Sequence, residues 1–307
     1  MAITAKDVSD LRAKTGISMM ECKKALVEVN GNFDEAIKLL REKGLAVAAK
    51  KADRIASEGV VDIIKDNNTT VIVEVNAETD FVAKNASFKE FVKGILETIL
   101  KYKPNNIDEL LKMPYLNSDT TVEVALKEKI FTIGENISIR RFDIIEGITG
   151  TYIHGGGSAG VVAKFETTND IETNEDFSEY KKNICMQIAA MNPSYISTDA
   201  VPENVIENEK TILIGQIEND EKLKNKPDNV KNKMIEGRIR KYFERTCLNE
   251  QQYVKDDNLK VSKYTQNTAL VLGGDIKIIS FVKYERGEGL EKKEENFAEE
   301  INKLVNG

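Results

Sequence analysis

The sequence has little cysteine, one histidine and no excess of positive charge. Its three cysteines, Cys22, Cys185 and Cys247, are far apart and form no Cys-x-x-Cys pair. Neither a disulfide framework nor a zinc site fits that pattern, which points to a reducing compartment. No Gly-x-x-x-x-Gly-Lys-Ser/Thr stretch is present, so no P-loop is expected to hold a nucleotide. No apolar run approaches membrane-spanning length. The N-terminus lacks the apolar core of a signal peptide and the composition of a transit peptide, and the expectation is a cytoplasmic protein. Lys and Arg number 44 against 51 Asp and Glu, a net charge of −7. That balance argues against nucleic acid or an anionic membrane as the main partner, since both select basic surfaces.

What is present is enough apolar material for ordinary cores, 41% of 307 residues, in a chain long enough for two or three domains. Residues 1–56 stand apart in charge, with 11 Lys and Arg against 8 Asp and Glu. Three capping patterns open this head: Thr4-x-x-Asp7, Ser18-x-x-Glu21 and Asn32-x-x-Glu35. Gly16, Gly31 and Gly44 are read as the helix ends. Apolar residues recur at helical spacing between them, as in Cys22/Leu26/Val29 and Phe33/Ile37/Leu40. The pattern predicts a three-helix bundle, too small to be stable without leaning on its surroundings, followed by a connector helix over Leu45–Ala56.

The pattern then changes. Val60–Ile64 and Thr70–Val75 are β-branched runs separated by Lys65-Asp66-Asn67-Asn68, a hairpin signal. A helix follows, with its cap read at Ser87-x-x-Glu90 and an apolar stripe from Phe88 to Ile99. Lys103–Asp119 reads as loop, Val122–Phe131 as helix, Gly134-Glu135-Asn136 as its exit and Ile137–Ile145 as strand. The order hairpin, loop, helix then repeats in Ile148–Ile153, Val161–Phe165 and a helix carrying Phe177, Tyr180, Ile184 and Ile188. Two charged helices with sparse apolar positions and a break at Asn225–Asp228 predict a protruding antiparallel helical hairpin. Tyr253–Thr268 reads as irregular, Asp275–Tyr284 as strand, and Glu291–Val305 as a helix with Phe297, Ile301, Leu304 and Val305 on one face.

Two catalytic patterns in Gly155-Gly156-Gly157-Ser158-Ala159-Gly160 fail on context. A dinucleotide fingerprint and a serine nucleophile elbow both need a strand before and a helix after. Here a second strand follows, so the reading is a glycine-rich hairpin loop. A triad through His154 would place the base four residues from its nucleophile, Ser158, on the same loop, a poor geometry.

The segment Val75–Asn85, with Thr79-Asp80-Phe81-Val82 at its centre, has two readings on its residues alone. Thr79 and Asp80 can cap a short helix while Phe81 packs in the core. Alternatively, a strand-to-helix loop presents Phe81 as an aromatic anchor for a partner's pocket. The segment resembles the exchange motif of the elongation factor Ts family. Leu11–Leu26 is similar to that family's ubiquitin-associated-like N-terminal domain and Ile133–Arg141 to its core strand. Met186–Ser197 and Gly237–Tyr242 resemble the flanks of its helical hairpin, and Gly287–Leu304 its C-terminal module. The order is the family's; residues 101–120 and 248–268 depart from it.

The resemblance implies an α+β protein: residues 1–56 as bundle and connector, 57–146 as one core subdomain, 147–202 with 246–286 as a related second, 203–245 as the inserted hairpin and 287–307 as a C-terminal module. It implies a non-enzymatic exchange factor for elongation factor Tu, bound in GDP-loaded and nucleotide-free states, with self-association into a heterotetramer as a further implication. No metal, cofactor or direct nucleotide is implied. Thr79, Asp80, Phe81 and Val82 would dislodge the partner's magnesium, with His154, Phe297, Ile301 and Leu304 as secondary contacts. Three other classes compete: a ubiquitin-type adaptor using residues 1–44, an RNA-binding protein using the basic head, and a serine hydrolase at Ser158.

Overall fold

The computed structural model describes residues 3–116, 118–168 and 171–291. Helices and small sheets both occur, and the fold is α+β. The chain divides into two units. The described part of the first covers residues 3–116, 118–144, 155–159 and 284–291, and that of the second covers residues 145–154, 160–168 and 171–283.

The first unit opens with α1 (Ala5–Thr15), α2 (Met19–Glu28) and α3 (Phe33–Lys51). Thr4 accepts the Asp7 N–H while the Asp7 carboxylate accepts the Thr4 N–H, closing a capping box. Ser18 and Asn32 cap the next two helices as their spacing predicts. Gly16 ends α1 in the left-handed conformation. Gly44 does not end α3: the helix runs through it to Lys51 and absorbs most of the expected connector. Gly44 is buried there, and a side chain would lie 3.4 Å from the Phe131 Cβ. Its bareness admits the Phe131 ring to the bundle core of Leu11, Cys22, Leu26 and Leu40. The bundle thus leans on a later helix, with Arg41 and Glu128 paired at 2.8 Å alongside.

Next come β1 (Glu58–Asp66) and β2 (Thr69–Ala77), an antiparallel hairpin with Asp66 opposite Thr69 and Asn67 at φ 48° in the turn. A short α4 (Asp80–Lys84) precedes α5 (Ala86–Tyr102). The cap of α5 is Asn85, whose side chain accepts the Ser87 and Phe88 N–H groups, and Ser87 lies inside the helix. The expected loop after α5 contains α6 (Ile107–Lys112), held by Asn106 and by Glu109 reaching back to the Asn105 N–H. Six residues are too few for a helical period to show in sequence. Then α7 (Val122–Ile133) ends at left-handed Gly134, and β3 (Ile137–Glu146) completes a sheet of order β1-β2-β3. Val71, Val73 and Val75 of β2 meet Phe88, Phe91, Ile95 and Ile99 of α5 in the core.

The central strand β2 is buried on both faces, and the face away from that core carries Glu74 with no exposed surface. Its carboxylate accepts from Arg140 at 2.9 Å, Arg141 at 2.6 Å, the Asn76 amide at 3.1 Å and the Gly287 N–H at 2.8 Å. Gly287 sits at φ +69°, where any Cβ would come within 2.2 Å of the Ser57 carbonyl oxygen, so only glycine can bring its N–H there.

In the second unit, β4 (Ile148–His154) and β5 (Ala159–Thr167) are followed by α8 (Glu175–Met191). Two helices pack on each other as a hairpin, α9 (Glu203–Asn219) and α10 (Asp228–Thr246), with Arg238 donating to Gln216 across the pair. Then β6 (Gln252–Tyr253), β7 (Asp256–Lys260), α11 (Val261–Leu272) and β8 (Ile276–Glu285) follow, and the main sheet has order β4-β5-β8. Its core sets Val161 and Phe165 against Phe177, Tyr180, Ile184 and Ile188. The plan of hairpin, helix and added strand matches the first unit. Segment 253–268 is not irregular: it holds β7 and most of α11. That helix has no side-chain cap and is rich in Thr, Ser and Tyr, so neither a start signal nor strong propensity marks it.

Burial pushes the Glu74 carboxyl up, and the Gly287 N–H, both guanidiniums and Asn76 outweigh it, leaving the pKa below the ordinary 4.5. A carboxyl lowered on folding adds stability that is complete above its unfolded pKa and lost as pH falls through its folded one. Glu74→Gln is expected to cost about 3–5 kcal/mol at pH 7, because two arginines lose a buried partner. Denaturant melts at pH 7 and below pH 4.5 check this: the mutant should show the smaller acid sensitivity.

Candidate functional site

The turn between β2 and α5 is built from both ends. Thr79 is the cap of α4, its Oγ1 accepting the Val82 N–H at 3.4 Å. The same threonine is gripped by Glu135, which accepts the Thr79 N–H at 3.0 Å and the Thr79 hydroxyl at 2.8 Å. Beside it, the Glu78 carboxylate accepts the Asn136 N–H at 2.6 Å, and the Asn136 amide donates to the carbonyls of Ala52 and Arg54. The β2–α4 turn, the start of β3 and the end of α3 are thereby pinned together. Val82 and Ala83 go into the core from the underside of α4.

With that base fixed, Phe81 points away. Its ring is 80% exposed, the most exposed of the large apolar side chains among the described residues. The core-packing reading of Phe81 therefore fails, while the capping reading holds for Thr79. Asp80 is the first residue of α4 and pairs with Lys84 at 2.5 Å one turn on. The Lys84 hydrogen bond lowers the Asp80 pKa, with a smaller contribution from Arg286, so the carboxylate stays ionised near neutral pH. Both groups are exposed, and such a pair is weak and easily exchanged for another partner.

Thr79, Asp80, Phe81 and Val82 thus form one built feature in the first unit. His154 lies in the second unit, exposed at the end of β4, with its Nδ1 3.1 Å from the Tyr152 hydroxyl. Phe297, Ile301 and Leu304 lie outside the described residues. Glu135 and Asn136 were missed as site residues: the stretch Gly134-Glu135-Asn136 signals only a helix exit, and nothing local says that its side chains reach residues 78 and 79.

The alternative chemistries find no geometry. The glycine loop joins β4 to β5, strand to strand, with left-handed φ at Gly155, Gly156 and Gly157. Within the first unit, Gly157 packs on β1, its carbonyl accepting the Val61 N–H. Burial pushes the Cys185 thiol up to about 12, far from a reactive thiolate. Among the described residues no cluster of His, Cys, Asp and Glu could hold a metal ion, and no helix is long and apolar enough to cross a membrane.

Comparison with known proteins decides the family. The profile of the family described as Elongation factor TS matches residues 78–288, well over half of the chain. The chain belongs to the elongation factor Ts family. Among similar curated relatives, Elongation factor Ts of Syntrophotalea carbinolica is 44% identical over 304 residues, covering 98% of each chain. Elongation factor Ts of Clostridium kluyveri is 44% identical over 99% of each chain. That of Clostridium perfringens is 45% identical over 98% of this chain and 99% of its own. The family match begins at Glu78, the residue that binds Asn136, and takes in the whole Thr79–Val82 motif of this family member.

Replacing Phe81 by Ala is expected to leave the melting temperature unchanged within the equivalent of about 0.5 kcal/mol, as for other exposed positions. Glu135→Ala strands the Thr79 N–H and is expected to cost about 1–3 kcal/mol. Thermal melts of both variants check the pair: a large loss for Phe81→Ala would mean that the ring is part of the core.

Proposed function

We propose that the chain is a non-enzymatic nucleotide exchange factor of translation elongation, which frees GDP from elongation factor Tu by inserting Phe81 beside the partner's magnesium and phosphate site. The observation that supports this reading is the bare Phe81 ring on a base immobilised by Glu135. A wedge works only if its base does not yield when pressed. A rigid scaffold with an exposed aromatic side chain is also the usual form of an interface anchor.

The mechanism is linkage. Tight GDP binding rests on a phosphate-cradling loop and a bridging magnesium ion. A factor that binds better to the GTPase with those elements displaced must weaken nucleotide and magnesium binding by the same factor. In this reading Phe81 holds the displaced state, and Asp80, released from Lys84, faces the partner's polar site. No bond in the nucleotide is made or broken. GTP rebinding then expels the factor.

The ubiquitin-associated-like bundle serves as a docking element. Met19, Met20 and Val27 expose apolar surface on α2, Met20 being 64% exposed, in the head that carries the positive excess. His154 is a second contact, and the α9–α10 hairpin serves self-association. Exposed Ile212 and Ile214, which flank buried Leu213 on α9, support the latter.

A truncated aromatic anchor typically loses about 2–4 kcal/mol, or roughly 30- to 1000-fold in binding. Only the part realised in the displaced state accelerates release. Phe81→Ala is therefore expected to slow stimulated GDP release by about tenfold or more while the protein stays folded. Release of a fluorescent GDP analogue from elongation factor Tu, measured with wild type and variant, decides it. An unchanged rate with folded Phe81→Ala would remove the ring from the mechanism.

A further inference from the structure

The bundle and the Thr79–Val82 turn are held by one element, α7 with its exit. Phe131 of α7 packs into the bundle core, and Glu128 of α7 pairs with Arg41 of α3 at 2.8 Å. At the end of α3, the Lys51 ammonium donates to the carbonyl of Gly134, the residue that ends α7. The two residues after that glycine serve different partners. Glu135 takes both donors of Thr79. The Asn136 side chain donates to the carbonyls of Ala52 at 3.2 Å and Arg54 at 2.8 Å, in the segment that carries α3 into β1. Its backbone N–H goes to Glu78 at 2.6 Å, next to Thr79. A line of contacts therefore runs from the bundle through Asn136 to the base of the Phe81 ring.

Asn136 is the strong member of that line. It is buried, while Lys51, Arg54, Glu78 and Glu135 each keep part of their surface in water. Exposed ion pairs such as Arg41–Glu128 hold little and exchange easily. A buried amide that satisfies two carbonyls is costly to lose. Apolar packing is a weak substitute at this seam. Between the bundle and α7 lies a cleft of about 230 Å³, lined by Ile17, Ile37, Leu40 and Phe131. Side chains that border open space forgo dispersion contacts on that side, so the seam alone resists tilting of the bundle poorly.

We propose that Asn136 is a positioning residue for Phe81: it ties the end of α3 to the base of the ring, so that docking of the bundle and insertion of the ring become one coupled event. That coupling rests on the reading above, in which the bundle docks and Phe81 is the wedge. Two contacts carried on one rigid body raise each other's effective concentration, and the gain is lost when the link between them slackens. Being buried, Asn136 acts only through the groups it holds, Glu78 on one side and the Ala52 and Arg54 carbonyls on the other.

Release of a fluorescent GDP analogue from elongation factor Tu, followed over a range of concentrations of the full-length factor, separates the plateau rate from the half-saturating concentration. Asn136→Ala is expected to lower the plateau about tenfold, within the loss that a displaced group far from the reacting site can cause, and to leave the half-saturating concentration nearly unchanged because the bundle still docks. A variant that had merely lost folded protein would need more factor to reach the same plateau. In a Phe81→Ala background, Asn136→Ala should slow the plateau no further, since the ring it positions is gone. If Asn136→Ala does not fold, Lys51→Met, which cuts the same tie at its exposed end, decides by the same plateau. An unchanged plateau in the folded variant overturns the proposal, as does further slowing on top of Phe81→Ala. A wild-type factor that fails to release GDP, or a Phe81→Ala variant that releases it at the full rate, would reject the exchange reading itself and this coupling with it.

Discussion

The buried Glu74 carboxylate is the constraint on which the first unit turns. A charge with no exposed surface is expensive to bury and is tolerated only when its lone pairs are filled and its charge is matched. Two adjacent guanidiniums from β3, the amide of Asn76 two residues along β2 and the backbone N–H of Gly287 beyond β8 do this. Satisfying one carboxylate therefore fixes three things at once: the pairing of β2 with β3, the strand that runs into the Thr79–Val82 turn, and the path of the chain after β8. Arg141 extends the set by lying over the Tyr284 ring at 4.2 Å, and Tyr284 donates to Asp143 at 2.5 Å. Any replacement that emptied the site would leave Arg140 without a carboxylate and Arg141 with only the exposed Glu288.

The Thr79–Val82 turn begins five residues beyond that hub and inherits its rigidity. β2 ends at Ala77, Glu78 and Thr79 are taken up by Asn136 and Glu135, and α4 begins at once on Val82 and Ala83 buried in the core. Every residue around Phe81 has a partner that holds it inward or sideways, and the ring is left as the one apolar group directed out. A single exposed aromatic side chain costs the free protein little, because the folded and unfolded states expose it similarly. In the proposed mechanism it becomes costly to lose only in the complex, where another protein would remove its surface from water.

Much of this was legible in the sequence. The three bundle helices announce themselves through Thr4, Ser18 and Asn32, and the hairpins through β-branched runs around Asp66-Asn67. These are local signals, carried by neighbours within four residues. Part of what was misread was set by distant partners. Gly44 looks like a helix end, and only Phe131, far along the chain, shows why a glycine belongs in mid-helix. Ser87 looks like a cap, but Asn85 competes two residues earlier and wins by accepting two N–H groups. The Glu135–Thr79 contact spans 56 residues and leaves no periodic or capping mark. The family was legible through the resemblance of several segments, and the exposure of Phe81 was not legible at all. An aromatic residue between a valine-rich strand and an apolar helix satisfies the statistics of a core position equally well.

That ambiguity has a physical origin. A wedge and a core residue need the same side chain, large, rigid and apolar, and differ only in which way the backbone turns it. Here the direction is set by polar groups: the Thr79 cap begins α4 at Asp80, which places Val82 and Ala83 on the inner face and Phe81 on the outer. A helix starting one residue later would rotate the set by about 100°, the angle of one residue in a 3.6-residue turn, and carry Phe81 off the outer face. Glu135 accepts both Thr79 donors and so fixes where the helix starts. The site's apolar chemistry is therefore governed by a carboxylate that touches neither the ring nor, in the proposed mechanism, the partner.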